Sequence, residues 1–523
     1  MLTSGIDWSA RSYDDLCARF RWRIPDTLNI AEVCDASDRT ALIESSGRRY
    51  SFRELKELSD RMALLLREIG VEREERVAVL LPQCVENPLA HLGAFKLGAV
   101  SVPLSPHFRR EALRHRLGAS RARVVITDSE HAAMVSELDL PHLKAILCCD
   151  EDGPEPLWPA LERTHGPFEP VRTQANDPAI LLYTSGTEGL PKGALHAHRV
   201  LAARLGAFEL IHRLEAEPGE RPFYTPAEWA WVAGLVDSVF TPWALGCSVL
   251  AHRPRFDAGE ALELMRQVRG AFVPPTALRR MREVDGPMLD AGILDAGIHS
   301  AGEPLEPELR AWAEQRFCSV HELYGMTEIG ALIGSSPFVP PRPGRVGKPY
   351  PGHELTLLEE GIIAVRRDDP GLMLGYFEDA AATEARCAGD WFLTGDIARR
   401  DEDGYFAYVG RADDVFNTSG YRVGPSEIER TLMRHPSVAL AAVVPESDAE
   451  RGAVPKAFVV LGDGVQPSEA LASELRLFVR NELAAYQAPR RVVFARELPT
   501  TVTGKLRRGA LRESDAEARW GIA

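Results

Sequence analysis

The chain has 523 residues, which at about 100–200 residues per domain predicts more than one folding unit. Hydrophobic residues make up 45% and charged residues 26%, so the composition excludes collagen-like, coiled-coil and largely disordered proteins. The 61 basic and 76 acidic residues leave a net charge of −15. This charge disfavours nucleic acids and anionic membranes as partners, but it allows a small anion that is held by local donors.

The cysteines and the apolar segments give no sign of secretion or membrane insertion. The eight cysteines form neither a CxxC pair nor a dense framework, which is typical of a reducing compartment. The segment Met1 to Phe20 lacks the apolar core of a signal peptide. No uncharged apolar run reaches the roughly 18 residues of a membrane span. We therefore expect a cytoplasmic protein, and a homo-oligomer is compatible with the sequence.

From Arg76 onward, short apolar runs alternate with helix-length amphipathic stretches. The strand-like runs are 76–82, 99–104 and 122–128, and the helical patterns between them are 87–98 and 109–120. This rhythm predicts β-α-β units with mostly parallel strands. A second set follows, with strands at 180–184, 247–252 and 271–275 and a long helical pattern from about His196 to Leu214.

The later part of the chain predicts a change of architecture. The segment 337–376 is rich in proline and glycine and leads into antiparallel hairpins, with a turn at Asp403-Gly404. After Arg411 the order helix, strand, strand, helix, strand is sufficient for a separate α+β domain. The sequence thus predicts a large α/β domain (1–412), with parallel βαβ sheets plus a small antiparallel β region, and a smaller α+β C-terminal domain (413–523).

The segment YTSGTEGLPKG, from Tyr183 to Gly193, has the composition of a phosphate-binding loop. Its glycine and hydroxyl residues allow backbone N–H groups to surround phosphate oxygens, and its lysine adds positive charge. The candidate phosphate ligands are Thr184, Ser185, Gly186, Thr187, Glu188, Gly189 and Lys192. The segment does not fit the Walker A pattern GxxxxGK[ST]. The alternative interpretation is a surface turn.

This loop resembles the signature loop of the adenylate-forming superfamily, which includes acyl- and aryl-CoA synthetases, adenylation domains and luciferase. Further segments resemble the other signatures of that family, in the same order. They are Ser300–Pro304, Glu322–Glu328, Trp391–Asp396, Gly410–Asp414, Ser419–Arg422, Pro425–Glu429 and Thr503–Lys505. The resemblance covers about residues 1–515. The sequences of segments 412–429 and 451–461 are most similar to the medium-chain acyl-CoA synthetase branch.

The resemblance implies a nucleotide site with Mg²⁺. It assigns ATP contacts to Gly302, Glu303, Pro304, Glu322, Leu323, Tyr324, Gly325 and Met326, and ribose contacts to Asp396 and Arg411. It assigns Glu328 to the metal and Thr327 to the α-phosphate or the acyl carboxylate. A carboxylate beside a phosphate-binding loop suits Mg²⁺, which prefers one carboxylate together with phosphate oxygens and waters.

The resemblance also assigns the second domain a catalytic role. In the family, the lysine at the position of Lys505 bridges the acyl carboxylate and the α-phosphate, where its charge stabilises the pentavalent phosphorus. Asp413 is the implied hinge, because pyrophosphate must leave and a thiol must enter between the two half-reactions. The implied CoA contacts are Ser419, Gly420, Tyr421, Arg422 and Arg451.

The acyl pocket that the resemblance implies is wide. Its lining is assigned to Trp231, Val232, Ala233, Ala301 and Gly325. Gly325 stands where acetate-specific members carry a tryptophan that closes the pocket, so we expect a medium-chain, branched or aromatic acid. We expect one of Trp229 and Trp231 to be a core aromatic. Glu188 departs from the family pattern, and we expect it to face solvent or to pair with Lys192 or another basic residue.

These features predict ATP-dependent activation of a carboxylic acid to acyl-AMP and pyrophosphate, followed by transfer to CoA. Two alternatives stay open. The acceptor is a carrier-protein thiol in one, and the chain is a nucleotide-binding regulator without catalysis in the other. Arg451 favours free CoA, and the presence of both Lys505 and Glu328 favours an enzyme.

Overall fold

The computed structural model describes residues 2–150, 153, 155–184, 191–214, 220–284, 294, 296–412, 414–418, 421–448, 452–483, 487–500, 506–513 and 516–521. These residues form two compact units. The first comprises the described parts of Met1–Thr184, Pro191–Glu354 and Arg367–Ala385, and the second comprises those of Leu355–Arg366 and Arg386–Ala523. Within the described residues, no helix combines the length and the apolar character needed to cross a membrane.

The strands and helices of the described residues are numbered here in chain order. Strands β1 to β26 are Thr40–Glu44, Arg49–Ser51, Arg76–Leu80, Val100–Pro103, Ala122–Thr127, Ala145–Cys148, Pro178–Thr184, Lys192–Ala197, Phe223–Tyr224, Val249–Ala251, Gly270–Phe272, Ile298–Ser300, Val320–Met326, Gly330–Gly334, Lys348–Pro349, Leu355–Leu357, Ile362–Arg366, Gly375–Tyr376, Cys387–Ala388, Trp391–Arg400, Phe406–Arg411, Phe416–Thr418, Tyr421–Val423, Val438–Asp448, Gly452–Leu461 and Arg491–Ala495. Helices α1 to α17 are Tyr13–Arg19, Phe52–Glu68, Glu86–Lys96, Arg110–Ser120, Ser129–Ser136, Leu157–Arg163, Val200–His212, Val232–Leu235, Thr241–Ala244, Ala258–Met265, Pro275–Glu283, Pro307–Arg316, Ala380–Glu384, Pro425–Met433, Glu469–Glu482, Arg508–Leu511 and Ala516–Trp520. Two 3₁₀ segments, Ile30–Val33 and Glu359–Gly361, and one π-helical segment, Val236–Phe240, complete the set.

The first unit contains two mixed sheets. One has seven strands in the order β18-β8-β7-β4-β3-β5-β6, and the neighbours from β7 to β6 are all parallel. The other has nine strands in the order β15-β14-β13-β12-β11-β9-β10-β1-β2. The β-α-β units predicted from Arg76 onward are confirmed.

Local sequence explains how the helices of this unit begin and where they pack. Helix α2 begins with a capping box, in which Ser51 accepts a hydrogen bond from the Glu54 N–H and the Glu54 carboxylate accepts one from the Ser51 N–H. Helix α3 follows strand β3 and packs against α2. All eleven of its residues are buried, so it is a core helix.

One predicted boundary in this unit is wrong. The helical pattern from His196 starts too early, because β8 extends to Ala197 and pairs in antiparallel fashion with β7. Helix α7 begins only at Val200. Strand pairing outweighed the local helical pattern here, as tertiary contacts commonly do.

The second unit contains two five-stranded sheets. One has the order β16-β17-β20-β19, with β21 paired to β20, and the other has the order β23-β22-β25-β24, with β26 parallel to β25. The hairpin turn predicted at Asp403-Gly404 is confirmed: Gly404 has φ 84°, and its N–H donates to the Asp401 carbonyl at 3.0 Å. The predicted elements after Arg411 are confirmed as α14, β24, β25, α15 and β26.

The chain therefore has the predicted fold class, a large N-terminal α/β domain with mixed sheets and a smaller C-terminal domain. The small antiparallel β region, which we predicted within residues 1–412, belongs by its contacts to the second compact unit. The boundary between residues 412 and 413 stays a prediction.

Candidate functional site

The ends of the predicted phosphate-binding loop are set by the β7–β8 hairpin of the first unit. Thr184 and Lys192 are paired Cα partners, and the Thr184 hydroxyl donates to the Lys192 carbonyl at 3.4 Å. The Lys192 ammonium is about half exposed and lies 3.6 Å from an Asp379 carboxylate oxygen. The predicted loop residues Ser185, Gly186, Thr187, Glu188 and Gly189 lie outside the described residues. The pairing expected for Glu188 therefore stays a prediction.

The predicted pair Thr327 and Glu328 lies in the turn between β13 and β14. Glu328 is buried, and its Oε1 accepts a hydrogen bond from the Tyr376 hydroxyl at 2.7 Å. The Thr327 carbonyl lies 2.8 Å from His196 Nε2 and can only accept, so Nε2 carries the proton. Burial lowers the pKa of His196 to about 3, which keeps the ring neutral. Two residues that the sequence analysis did not identify thus hold this turn.

Tyr376 connects the predicted phosphate lysine to the predicted metal carboxylate. Its hydroxyl binds Glu328, and the Lys192 ammonium lies 5.5 Å from the centre of its ring. The ring is held by the pairing of β18 with β8, in which Tyr376 and Ala194 are Cα partners. A cation over an aromatic face is an attractive arrangement. The structure therefore brings Lys192, Tyr376 and Glu328 together in one cluster.

The residues of this cluster fit a magnesium ion that arrives with a nucleotide. Mg²⁺ keeps several waters and is commonly bound by one or two carboxylates plus substrate phosphates. Glu328 offers one carboxylate, of which Oε1 is oriented by Tyr376. Across the described residues, no group of three or more His, Cys, Asp or Glu side chains forms a metal cage by itself. A site completed by phosphate oxygens fits this arrangement.

The two segments with predicted ATP contacts lie on neighbouring strands: the first follows β12, and Glu322 to Met326 belong to β13. Strands β12 and β13 are parallel, and Ser300 and Glu322 are Cα partners at the end of β12. Ligands of parallel sheets bind near the carboxyl ends of the strands. Gly302 has φ 97°, a conformation that glycine adopts without strain, so the chain turns directly after β12.

An arginine side chain binds each of the two glutamates in these segments. Glu303 accepts hydrogen bonds from the Thr276 hydroxyl and from Arg279, the latter at 2.7 Å. Glu322 accepts from Arg310 at 3.2 Å and from the Leu305 N–H at 3.3 Å. These contacts tie the segment after β12 to α11, α12 and β13. The two carboxylates are therefore bound by other protein groups, and these contacts fix the position of the segment after β12.

The candidate acyl-pocket residues lie at the start of α8, directly after β12 and on β13. Trp229 is 1% exposed and belongs to the hydrophobic core, as expected for one of the two tryptophans. Trp231 is half-buried and packs edge-on against Phe108, with 6.0 Å between ring centres. Val232 and Ala233 follow it and are also half-buried, as is Ala301 after β12.

Gly325 has a structural role of its own. A Cβ at this position would lie 2.1 Å from the Gly330 carbonyl oxygen on the paired strand β14. Contacts this short are not tolerated, so a side chain at 325 requires the hairpin backbone to move. The absence of a side chain at Gly325 is therefore already explained by the hairpin and does not by itself indicate a wide acyl pocket.

The predicted ribose residues lie in the second unit. Asp396 is buried on β20, accepts a hydrogen bond from the Tyr408 hydroxyl at 3.2 Å, and lies 3.8 Å from Arg411. Burial and the nearby Asp396 charge raise the pKa of Tyr408 well above its usual value, so the hydroxyl remains a donor. Gly395 has φ 74°, and a Cβ there would lie 2.4 Å from an Arg386 nitrogen. Asp396 is therefore held in place by a tyrosine that sequence reasoning missed.

Several predicted residues are not placed by the structure. Asp413, Ser419, Gly420, Arg451 and Lys505 lie outside the described residues. Tyr421 and Arg422 belong to strand β23. The roles assigned to these residues stay predictions.

Comparison with known proteins identifies the family of the chain. The AMP-binding enzyme family matches residues 32–377, and the AMP-binding enzyme C-terminal domain matches 427–505. An acetyl-coenzyme A synthetase of Bacillus subtilis (strain 168) is 34% identical over 487 aligned residues, covering 89% of this chain and 85% of the relative. The mitochondrial acyl-coenzyme A synthetase ACSM4 of Rattus norvegicus is 32% identical and covers 99% and 95%, respectively. The crystal structure of the anthranilate CoA ligase AuaEII with anthranoyl-AMP has a TM-score of 0.85 at 26% identity, covering 95% of this chain and 98% of that one. The chain belongs to the AMP-binding enzyme family and is an acid–thiol ligase of the acyl-CoA synthetase type.

Proposed function

We propose that this ligase activates a medium-chain, branched or aromatic carboxylic acid with ATP and then transfers the acyl group to CoA. The first half-reaction forms acyl-AMP and releases pyrophosphate, and the second forms the thioester and releases AMP. The observation that carries the proposal is the cluster in which Tyr376 joins Lys192 to Glu328, beside the phosphate-loop ends and the Thr327 turn.

The geometry of the first unit supports the adenylation step. His196 holds the Thr327 carbonyl and Tyr376 orients Glu328, so contacts from the protein itself hold both residues of the turn. Bound Mg²⁺ would neutralise charge on the phosphate oxygens. Lys192, whose ammonium lies near the Tyr376 ring, would add a second positive charge. Such preorganised charge is the main source of rate acceleration in phosphoryl and nucleotidyl transfer.

The remaining assignments are proposals that rest on the family resemblance. Asp396 and Arg411 bind the ribose, Lys505 bridges the acyl carboxylate and the α-phosphate, and Asp413 is the hinge between domains 1–412 and 413–523. The CoA contacts are Ser419, Gly420, Tyr421, Arg422 and Arg451. The hydrogen bond from Tyr408 to Asp396 is consistent with a carboxylate held ready to accept hydroxyl donors.

The proposed acid class rests on the small, half-buried residues at Ala233 and Ala301 and on the half-buried indole of Trp231. One similar structure holds an aromatic acyl adenylate, and one similar sequence is named for acetate. We also propose a cytoplasmic location, in keeping with the eight free cysteines. Nucleic acids are not expected as partners at a net charge of −15.

Pyrophosphate release tests the proposal directly. The protein is incubated with ATP and Mg²⁺ and with acetate, isobutyrate, hexanoate or benzoate, each with and without CoA. We expect pyrophosphate release with hexanoate, isobutyrate or benzoate, and sustained AMP formation only when CoA is added. A kcat/KM for acetate above those for the other acids would contradict the substrate class. Pyrophosphate release that is unaffected by CoA would favour a carrier-protein acceptor. No release with any of the four acids would favour a nucleotide-binding regulator without catalysis.

A variant of Lys505 tests the division of the two half-reactions. Lys505→Ala should lose adenylation but retain thioester formation from preformed acyl-AMP and CoA, because the charge is needed only at the phosphorus. The exposed Lys144→Ala serves as the matched control and should change neither step. Equal loss of both steps in Lys505→Ala would contradict the assignment.

A further inference from the structure

A cluster of two arginines and two carboxylates lies in the second unit. Arg508 donates to both oxygens of Glu429, at 2.9 and 2.5 Å, and to Asp414 at 3.1 Å. Arg512 donates to the other oxygen of Asp414. We call these four residues, Arg508, Arg512, Asp414 and Glu429, the Arg508 cluster. Its two positive and two negative charges balance.

The Arg508 cluster is largely removed from solvent. The side chains of Glu429 and Asp414 are 6% and 8% exposed, and that of Arg508 is 16% exposed. Glu429 Oε1 also accepts the Val443 N–H at 2.8 Å, which ties the cluster to β24. A bidentate arginine pair of this kind fixes orientation as well as distance. Removal of one partner would leave an uncompensated buried charge, so the cluster is a rigid point of the unit.

The Arg508 cluster directly follows the residues that flank the Lys505 loop, and these flanking residues are paired with each other. Thr500 and Leu506 form an antiparallel bridge, and the Arg507 N–H donates to the Pro499 carbonyl at 2.8 Å. The next residue, Arg508, begins α16 and makes the cluster contacts. Lys505 stands three positions before Arg508, and three residues of extended chain span at most about 11 Å. Arg508 is therefore a near neighbour of Lys505 along the chain.

The cluster is also fastened to the segment directly after the proposed hinge. Asp414 follows Asp413 in sequence, and its N–H donates to the Arg411 carbonyl at 3.1 Å. Its carboxylate binds Arg508 and Arg512, 94 and 98 residues away along the chain. These two ion pairs join Asp414, the residue after the proposed hinge, to α16 and to the residue that follows it.

We propose that Arg508 is a positioning residue for adenylation, holding the base of the Lys505 loop to the chain segment directly after the hinge. The proposal rests on the roles proposed above for Lys505 and Asp413. Loss of Arg508 leaves Lys505 in the chain but lets its position vary, so adenylation suffers more than thioester formation.

The test compares the two half-reactions in variants of the full chain. Arg508→Met should lower the rate of adenylation by between about tenfold and a hundredfold, the range that misplacement of a catalytic group by about 1 Å produces. Thioester formation from preformed acyl-AMP should stay within about twofold. Arg508→Lys keeps the charge without the bidentate contact and should show a smaller loss of adenylation. Arg434→Met, which breaks an exposed pair with Glu482 in the same unit, is the matched control and should change neither step.

A double-mutant cycle separates this role from a purely structural one. Because Arg508 acts through Lys505, Arg508→Met should not further lower the residual adenylation of Lys505→Ala. A further loss in that background, or an equal loss of both half-reactions in Arg508→Met, overturns the proposal. Thermal unfolding of every variant is measured in parallel. If Arg508→Met does not fold, the same comparison is made with Asp414→Asn, which keeps the shape of the side chain.

The cycle also distinguishes failure of this inference from failure of the proposed function. If Lys505→Ala retains normal adenylation, the role proposed for Lys505 is wrong, and the positioning role falls with it. If Lys505→Ala loses adenylation while Arg508→Met and Arg508→Lys retain it, only the positioning role is wrong.

Discussion

At the scale of single residues, the predicted site depends on partners that lie far away along the chain. Tyr376 is 48 residues from Glu328, and His196 is 131 residues from Thr327. Neither partner stands in a sequence pattern that indicates its role, since a lone tyrosine and a lone histidine carry no spacing signal. The residues proposed to contact substrate could be predicted from ordered motifs, whereas the partners that orient them could be found only from the fold.

Tyr376→Phe tests the orientation of Glu328. The variant keeps the aromatic ring near Lys192 and removes the hydroxyl that binds the carboxylate. A hydrogen bond to a charged group contributes about 1.5–3 kcal/mol, so kcat/KM for adenylation should fall about tenfold or more. The fall should be accompanied by a higher Mg²⁺ requirement, measured by pyrophosphate release in a Mg²⁺ titration. Tyr13→Phe, whose hydroxyl bonds the Pro349 carbonyl, is the control, and an unchanged Mg²⁺ dependence in Tyr376→Phe would contradict the prediction.

At the scale of elements, two hairpins arrange the first unit's part of the site. The β7–β8 hairpin carries the ends of the predicted phosphate-binding loop, and the β13–β14 hairpin carries the Thr327-Glu328 turn. Strand β7 of the first hairpin was predicted from the sequence, because its continuous apolar run is a local signal. The sequence did not predict β8, because the start of this strand was assigned to the phosphate-binding loop and the helical pattern was expected to begin at about His196. Strand pairing is a non-local property that periodicity alone does not encode.

Gly325→Ala tests the β13–β14 hairpin. The added Cβ meets the Gly330 carbonyl at 2.1 Å, so we expect a loss of about 1–3 kcal/mol in the free energy of unfolding. Adenylation should fall for every acid, since the turn at Glu328 shifts as a whole. Gly118→Ala is the control, because no atom lies within 4 Å of its added Cβ, and helix α4 should be unchanged or more stable. If Gly325→Ala is as stable as the wild type and its kcat/KM shifts in favour of acetate, residue 325 lines the acyl pocket instead.

Ala233→Leu tests the start of α8 as a wall of the acyl pocket. The larger side chain should reduce kcat/KM for hexanoate and benzoate relative to that for acetate, by roughly tenfold for one to two lost methylene contacts. Measurement of kcat/KM for the three acids gives the ratio. The exposed Ala133→Leu on α5 should leave the ratio unchanged. An unchanged ratio in Ala233→Leu would remove this residue from the pocket.

At the scale of the whole molecule, the order of elements was predictable and the order of strands in the sheets was not. The alternation of apolar runs and amphipathic stretches identified the β-α-β units, because each signal lies within a few residues. The nine-stranded sheet pairs Leu42 of β1 with Val249 of β10, two strands that are separated by about 200 residues and share no local signal. The motif order, by contrast, identified the family correctly from short segments spread over the chain.

Burial of histidines makes the stability of the whole molecule sensitive to acid. The ordinary pKa of histidine is 6.5. Burial lowers the pKa to about 3 in His91, His196 and His299, to about 4 in His198 and His321, and well below 6.5 in His212. Below pH 6.5 the unfolded chain binds protons that the folded chain does not, so stability falls as the pH falls from about 6.5 toward 3–4. Burial raises the pKa of Glu228 and Asp237, which gives a smaller effect of opposite sign.

Denaturant unfolding at pH values between about 7 and 5 measures this effect, since each buried neutral histidine adds about 1.4 kcal/mol per pH unit below its unfolded pKa. His91→Gln removes one such group, and its amide is able to replace the hydrogen bond to the Ser101 hydroxyl, which lies 2.6 Å from His91 Nδ1. Proton uptake on unfolding, taken from the slope of the unfolding free energy against pH, should then fall by about one. The exposed His142→Gln should leave the slope unchanged. Identical slopes for the wild type and His91→Gln would show that this ring is protonated in the folded protein, because only a ring kept neutral by burial takes up its proton on unfolding.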